Sequence, residues 1–173
     1  MITDVIVKEA GRKGQGVFAL RSFAVGEFIF RRRYRRIVHH DELEALSADD
    51  QRHLCELDWE HSAVLLSPGC YLNHACDPNA MRKGVKVFAW KPIQTGEEIT
   101  IDYRLNAFTG EQWECACGSA NCQGSVTSSF FSLTEIQQAA YLPYAPTFIQ
   151  REYQQRHSQR LQERQDATTK EEY

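Results

Sequence analysis

No stretch of the 173 residues approaches the roughly 18 consecutive apolar residues that a membrane span needs. The opening MITDVIVKEAGRKGQG also lacks the apolar region of a signal peptide and carries charges in its place. A cytoplasmic chain with no membrane partner is therefore expected. Internal repeats are missing, as is any run long enough to be an interdomain linker. With 42% hydrophobic residues, the chain should form one compact domain with a small appendage.

Net charge of either sign is scarce, at −3 overall, but it is unevenly placed. Residues 1–36 hold nine Lys/Arg against three acids, whereas residues 41–60 hold eight acids against Arg52 alone. Acidic runs of this kind are ordinarily solvated helix faces. The basic run FRRRYRRIVHH, Phe30 to His40, does not predict a nucleic-acid surface, because alternate arginines of a strand face opposite sides. It fits an exposed edge strand, or a guide for an acidic partner.

The six cysteines sort into two groups. A reducing compartment disfavours disulfides, so clustered thiols there are candidate metal ligands. Cys115, Cys117 and Cys122 form a C-x-C-x4-C run in CACGSANC, which can supply three corners of a zinc tetrahedron. Cys76 is the natural fourth donor and would tie the run onto a loop nearly forty residues upstream. Cys55 and Cys70 read as buried apolar thiols.

Short β-type segments bounded by glycine fill the first hundred residues: DVIVKEA, GVFALRS, EFIFRRRYRRIV, VKVFAWKPI and EEITIDY. Between them, Leu43, Leu46, Leu54 and Leu57 have helical spacing, with Asp41 and Ser47 as N-cap candidates. After Gly124, Ser132 stands three residues before Glu135 as a capping-box pattern, and Pro143 and Pro146 divide the C-terminal region into two helices. The polar QDATTKEEY end is expected to fray.

Three further stretches carry candidate chemistry. GRKGQGVFA, Gly11 to Ala19, is a glycine turn entering a strand, where backbone can approach a ligand closely. It precedes a strand and not a helix, which argues against a phosphate loop. YLNHACDPNA, Tyr71 to Ala80, adds Asn73, His74 and Cys76 to an Asp-Pro-Asn turn that alone would suffice to reverse the chain. GEEITIDY, Gly96 to Tyr103, is an alternating strand ending in a tyrosine that is either core or a phenol orienting an amine or carbonyl.

Taken in order, KGQGVFA, YLNHACDPN, GEEITIDY and CACGSANCQG resemble the signature elements of SET-domain protein lysine methyltransferases with a zinc-binding post-SET segment. The resemblance covers about residues 3–126. It implies a mostly β fold with added helices (α+β), built of several small curved sheets in a β-clip-like arrangement. The SET domain would span residues 1–113, the zinc segment 114–126 and a helical extension 127–173. It also implies S-adenosylmethionine as cosubstrate and one structural zinc ion held by Cys76, Cys115, Cys117 and Cys122. Lys13, Gly14 and Gln15 would meet the methionine end of the cosubstrate, Asn73 and His74 its amino group and adenine, and Ala116 would lie against the adenine. Tyr103 matches the catalytic tyrosine. The partner would be a protein or peptide with a target lysine in a basic segment, attracted by residues 41–60 as a wall of the substrate groove. Cys70 stands where arginine is common in the family and Ala75 where serine is usual. Ile101 occupies the place where some members carry the Phe or Tyr that sets product state. The competing reading is a catalytically silent SET-like zinc fold that binds a protein partner.

Overall fold

The computed structural model describes residues 4–171. Among these described residues twelve short strands form four small sheets, and the helices are few and mostly C-terminal. The first sheet has the order β1 (Val5–Glu9), β2 (Gln15–Ala19), β10 (Glu98–Ile101), β7 (Asn73–His74). A second joins β3 (Phe28–Arg31), β9 (Lys86–Ala89) and β8 (Ala80–Lys83), and a third joins β4 (Tyr34–His39), β6 (His61–Leu65) and β5 (Leu54–Glu56). The fourth is the two-stranded β11 (Gln112–Glu114) with β12 (Ser125–Thr127). Every segment expected to be β is β, although EFIFRRRYRRIV divides into β3 and β4, which belong to different sheets.

The main core lies under the first two sheets, where Val17, Ile99, Val87 and Ile93 are wholly buried. Strand β10 sits at its centre, antiparallel to β2 and parallel to β7. The Asp-Pro-Asn turn is stitched to this strand by one side chain. Asn79 donates to the Glu98 carbonyl (2.8 Å), and its Oδ1 accepts from the Thr100 N–H (2.9 Å). A buried amide is tolerated there because its polar atoms are paired.

Residues 41–57 correct the expected helical insert. They form a 3-10 turn over His40–Ala45, the single-turn helix α1 (Ala48–Arg52) and then strand β5. Ser47 caps α1 as expected, accepting from the Asp50 N–H (3.2 Å); Asp41 does not cap, and His39 does so for the 3-10 turn. Helical spacing of four leucines is overridden because β5 finds a ladder partner in β6.

Two members of the acidic run are engaged by the chain's own arginines. Asp50 is buried and pairs with both Arg35 and Arg36, and Asp49 pairs with Arg52 (3.2 Å). A register shift in β4 between Tyr34 and Arg36 breaks the simple alternation of faces, so neighbouring arginines reach one carboxylate. Asp50→Asn is therefore expected to lower the unfolding free energy by about 1–2 kcal/mol, discounted because both arginines are half exposed. A urea titration measures it, and an unchanged midpoint would show the pair to be incidental.

The C-terminal region holds two helices, α2 (Glu135–Tyr141) and α3 (Thr147–Glu171). The capping box is Thr134 with Gln137, not Ser132 with Glu135. The Ser132 hydroxyl is instead engaged with the Thr127 and Ser129 carbonyls (2.9 and 2.7 Å). The polar end expected to fray continues α3 to Glu171, and residues 172–173 lie outside the described residues. Tyr141, Phe148 and Ile149 pack with Met81, Leu105 and Phe130 in a second core. Trp59 bridges it to residues 41–60 through edge contacts with Phe108 (4.6 Å) and Phe148 (4.9 Å).

Candidate functional site

The parallel pairing of β7 with β10 places the Asn-His pair beside Thr100 and Ile101, and Tyr103, expected at the strand end, stands two residues past it as the first residue of a 3-10 turn. Tyr103 is 40% exposed as a residue, but its hydroxyl donates to the Leu72 carbonyl (2.7 Å). Burial, with Glu98 and Cys55 nearby, pushes its pKa up to about 12. The phenol is thus a proton donor at any neutral pH. A cavity of about 200 Å³ opens beside it, walled in part by Leu54, Leu72, Ile101, Asn106 and Ala107.

His74 is buried with both ring nitrogens in use. Nδ1 accepts from the Tyr103 N–H (3.2 Å), and Nε2 lies 3.4 Å from Cys76 Sγ, where its proton can be donated to sulfur. Asp102 Oδ1 lies 3.6 Å from Nδ1, but no ion pair results: Nδ1 is an acceptor, and burial, aided by Arg104, depresses the pKa to about 4 despite Asp102. Asp102 is held instead by the Arg104 guanidinium at 2.6 and 2.9 Å. The imidazole therefore links Tyr103 to Cys76, and any ligand would meet His74 through its main chain. Trp113, which the sequence reading missed, packs edge-on against this ring (5.0 Å).

At the other end of the sheet, the glycine turn meets Asn73. Gly14 has φ of 76°, a left-handed conformation suited to glycine, and its N–H closes the turn on Gly11. Asn73 Nδ2 donates to the Gln15 carbonyl (2.9 Å) and to Glu98 Oε1 (2.8 Å), and Lys13 pairs with the same carboxylate. Lys13, Gln15 and Asn73 are thus brought together around Glu98, a residue the sequence reading did not single out. Gly16 is closely approached, since a Cβ there would stand 2.9 Å from Ala10 Cβ and 2.7 Å from Glu98 Oε1.

Cys76, Cys115, Cys117 and Cys122 converge, with all four sulfurs within 4.8 Å of one another. Such a set could hold a metal ion. Cys117 Sγ accepts from the Cys76 N–H (3.5 Å) and Cys122 Sγ from the Gly124 N–H (3.4 Å), the pattern expected around thiolates. Gly118 at φ 77° turns the chain directly after Cys117. The thiols influence one another strongly. Burial and the neighbouring sulfurs push Cys76 up and Cys115 up to about 11, while donors from Cys76 and Ser119 draw Cys117 down to about 6 against burial. Four thiols this close cannot all ionise without a cation among them, so the donor set fits a thiophilic dication. Ala116 is exposed between two of these ligands, on the outside of the cluster.

Cys70 and Cys55 depart from the apolar reading. Cys70 is only half buried, and Cys55, although buried, contacts Arg32 and Asn106.

A family model described as the SET domain matches residues 14–104, more than half of the chain. Histone-lysine N-methyltransferase Set2 of Drosophila melanogaster is 35% identical over 130 residues, covering 65% of this chain and 6% of that protein. The Saccharomyces cerevisiae protein called histone-lysine N-methyltransferase, H3 lysine-36 specific, is 26% identical over 157 residues, covering 80% of this chain and 21% of its own length. Among solved structures, the methyltransferase domain of human histone-lysine N-methyltransferase SETMAR superposes with a TM-score of 0.54 at 22% identity, covering 71% of this chain and 57% of that one. This last likeness shows the fold: several small sheets with few helices. The chain spans only a small part of the two sequence relatives it matches. Among the described residues no helix is long and apolar enough to cross a membrane.

Proposed function

This chain belongs to the SET-domain family, and from that premise we propose that it transfers a methyl group from S-adenosylmethionine to a lysine side chain of a protein. The observation that carries the reading is the Tyr103 hydroxyl, fixed on the Leu72 carbonyl beside a cavity walled by Ile101. S-adenosylmethionine supplies an electrophilic methyl group on a cationic sulfur. The chain's own task is then alignment and proton control. A free lysine side chain, with a pKa of about 10.4, is mostly protonated at neutral pH, and a dry cavity favours the neutral amine that can attack. No strong general base is needed. The Tyr103 phenol, protonated, and the carbonyls about it would orient the amine in line with the methyl group.

The glycine turn at Lys13, Gly14 and Gln15 fits the methionine end of the cosubstrate, since it offers main-chain groups beside the Asn73 amide. Both Asn73 amide hydrogens are engaged by Gln15 and Glu98, which leaves its Oδ1 as an acceptor for the cosubstrate's amino group. His74 would contribute through its backbone, and Ala116 from the cysteine run would cover the adenine. Zinc is the ion the four sulfurs suit, and residues 114–126 would be its segment. The relatives' names point to a histone as the protein substrate, in keeping with a target lysine in a basic segment. Because Asp50 is buried against Arg35 and Arg36, that attraction falls to Glu56 on the cavity wall and to the exposed Asp49, Glu42, Glu44 and Glu60.

The test is S-adenosylmethionine binding by calorimetry on zinc-replete protein. Asn73→Ala is expected to weaken binding at least tenfold while retaining zinc. Absence of binding by the intact protein would return the assignment to a silent partner-binding fold.

A further inference from the structure

Behind the cavity at Tyr103 lies a buried polar cluster that methyl transfer does not require. Arg32 and Arg82 are 6% and 4% exposed, and neither Nε has a hydrogen-bond partner. Both line the 200 Å³ cavity and a second of about 150 Å³, as do Cys55 and Glu56. Cys55 is 7% exposed, and its sulfur receives Arg32 Nη1 (3.3 Å) and Asn106 Nδ2 (3.4 Å). Asn106 also donates to the Glu56 carbonyl (3.0 Å).

Charge singles out this sulfur. Two buried guanidiniums against one carboxylate leave a positive charge without a counterpart, and a thiolate at Cys55 supplies it. We propose that Cys55 is held as a reactive thiolate and is a modification site for small hydroperoxides entering through these cavities. The sulfur attacks the peroxide, an S–O bond forms, and the O–O bond breaks. Sulfur is oxidised by two electrons and the peroxide is reduced to an alcohol, or to water from hydrogen peroxide, taking the proton. The sulfenate oxygen would give the unpartnered arginine donors an acceptor.

The electrostatics agree with the geometry. Burial pushes the thiol up, but Arg82 and then Arg32 outweigh it, so Cys55 lies below its ordinary value, with Glu56 opposing them. The other titratable groups on the cavity walls are Tyr34, Arg52, His53, Cys70, Tyr103 and Tyr144. Cys70 borders the same cavity and is more exposed, yet burial pushes its thiol up. It is an internal control, because accessibility and thiolate character predict opposite orders for the two.

The experiment is iodoacetamide labelling of the zinc-loaded chain between pH 5 and 9, resolved by peptide mass spectrometry, with parallel hydrogen peroxide treatment and dimedone trapping. Cys55 is expected to reach half its maximal alkylation rate at a lower pH than Cys70 and to be the one of the two trapped as a sulfenate. Arg82→Met should move the Cys55 profile upward; the wild-type comparison stands even where that variant fails to fold. A Cys55 profile coincident with or above that of Cys70, or trapping at Cys70 alone, overturns the proposal. Oxidation would also alter a wall of the cavity at Tyr103 and so slow methyl transfer. That consequence rests on the methyltransferase reading, whereas the labelling result does not.

Discussion

Tyr103→Phe is expected to bind S-adenosylmethionine within about twofold of the parent chain and to lose roughly two to three orders of magnitude in kcat, the usual cost of removing one preorganised polar group from a reacting centre. The substitution removes a single oxygen, the one held on Leu72. Its cost to folding is small by comparison, about 1 kcal/mol for a hydrogen bond whose carbonyl partner is left behind. The two effects separate cleanly, the first in single-turnover transfer to a histone peptide and the second in a denaturant midpoint. Because the phenol's pKa is pushed up to about 12, no tyrosine titration should enter the rate profile between pH 7 and 9. An unchanged kcat would reduce Tyr103 to a core side chain.

The second large effect concerns the cysteine cluster. Cys117→Ser should drop zinc from one per chain to less than about a tenth, since structural zinc sites owe roughly 10–16 kcal/mol of apparent binding to a complete set of thiolates. Cys117 is the informative ligand because it takes the N–H of Cys76 and so joins the C-terminal run to the Asn-His loop. With the ion lost, β11 and β12 keep only three residue pairs between them, and the segment carrying Ala116 has little else to hold it. S-adenosylmethionine affinity is then expected to fall at least tenfold. Chelation of the parent chain should reproduce the loss, and added zinc, but not magnesium, should reverse it. Zinc loss without any change in affinity would detach the cluster from the cosubstrate site.

The features legible in the sequence are those that depend on local chemistry. The alternation in GEEITIDY and the glycine turn that opens GVFALRS set β10 and β2 through a period of two and turn geometry. The cysteine spacing places three sulfurs without knowledge of the fold. The features that escape depend on partners supplied from elsewhere. Residues 54–56 are strand because β6 pairs with them, and Glu98 matters because Lys13 and Asn73, far off in sequence, converge on its carboxylate. The capping box shows the limit plainly. Ser132 with Glu135 and Thr134 with Gln137 both fit the pattern, and the choice falls to Thr134 because Ser132 closes the preceding 3-10 turn over Phe130–Ser132 while Thr134 is the extended residue before the helix. Cys55 looks like an apolar thiol in sequence for the same reason: its arginines lie twenty or more residues away in the chain.

Strand β10 joins a neighbour about eighty residues upstream on one side to a neighbour about twenty-seven residues upstream on the other. Closing such long loops is slow and yields little until both strands are docked. The glycine turn, the Asn-His pair and Tyr103 are brought together by the same docking, so no partly folded species carries half of the site. Ligand affinity should therefore appear late in refolding, together with burial of Val17 and Ile99. A bound cosubstrate, in turn, would stabilise the whole central sheet against unfolding and not one loop of it.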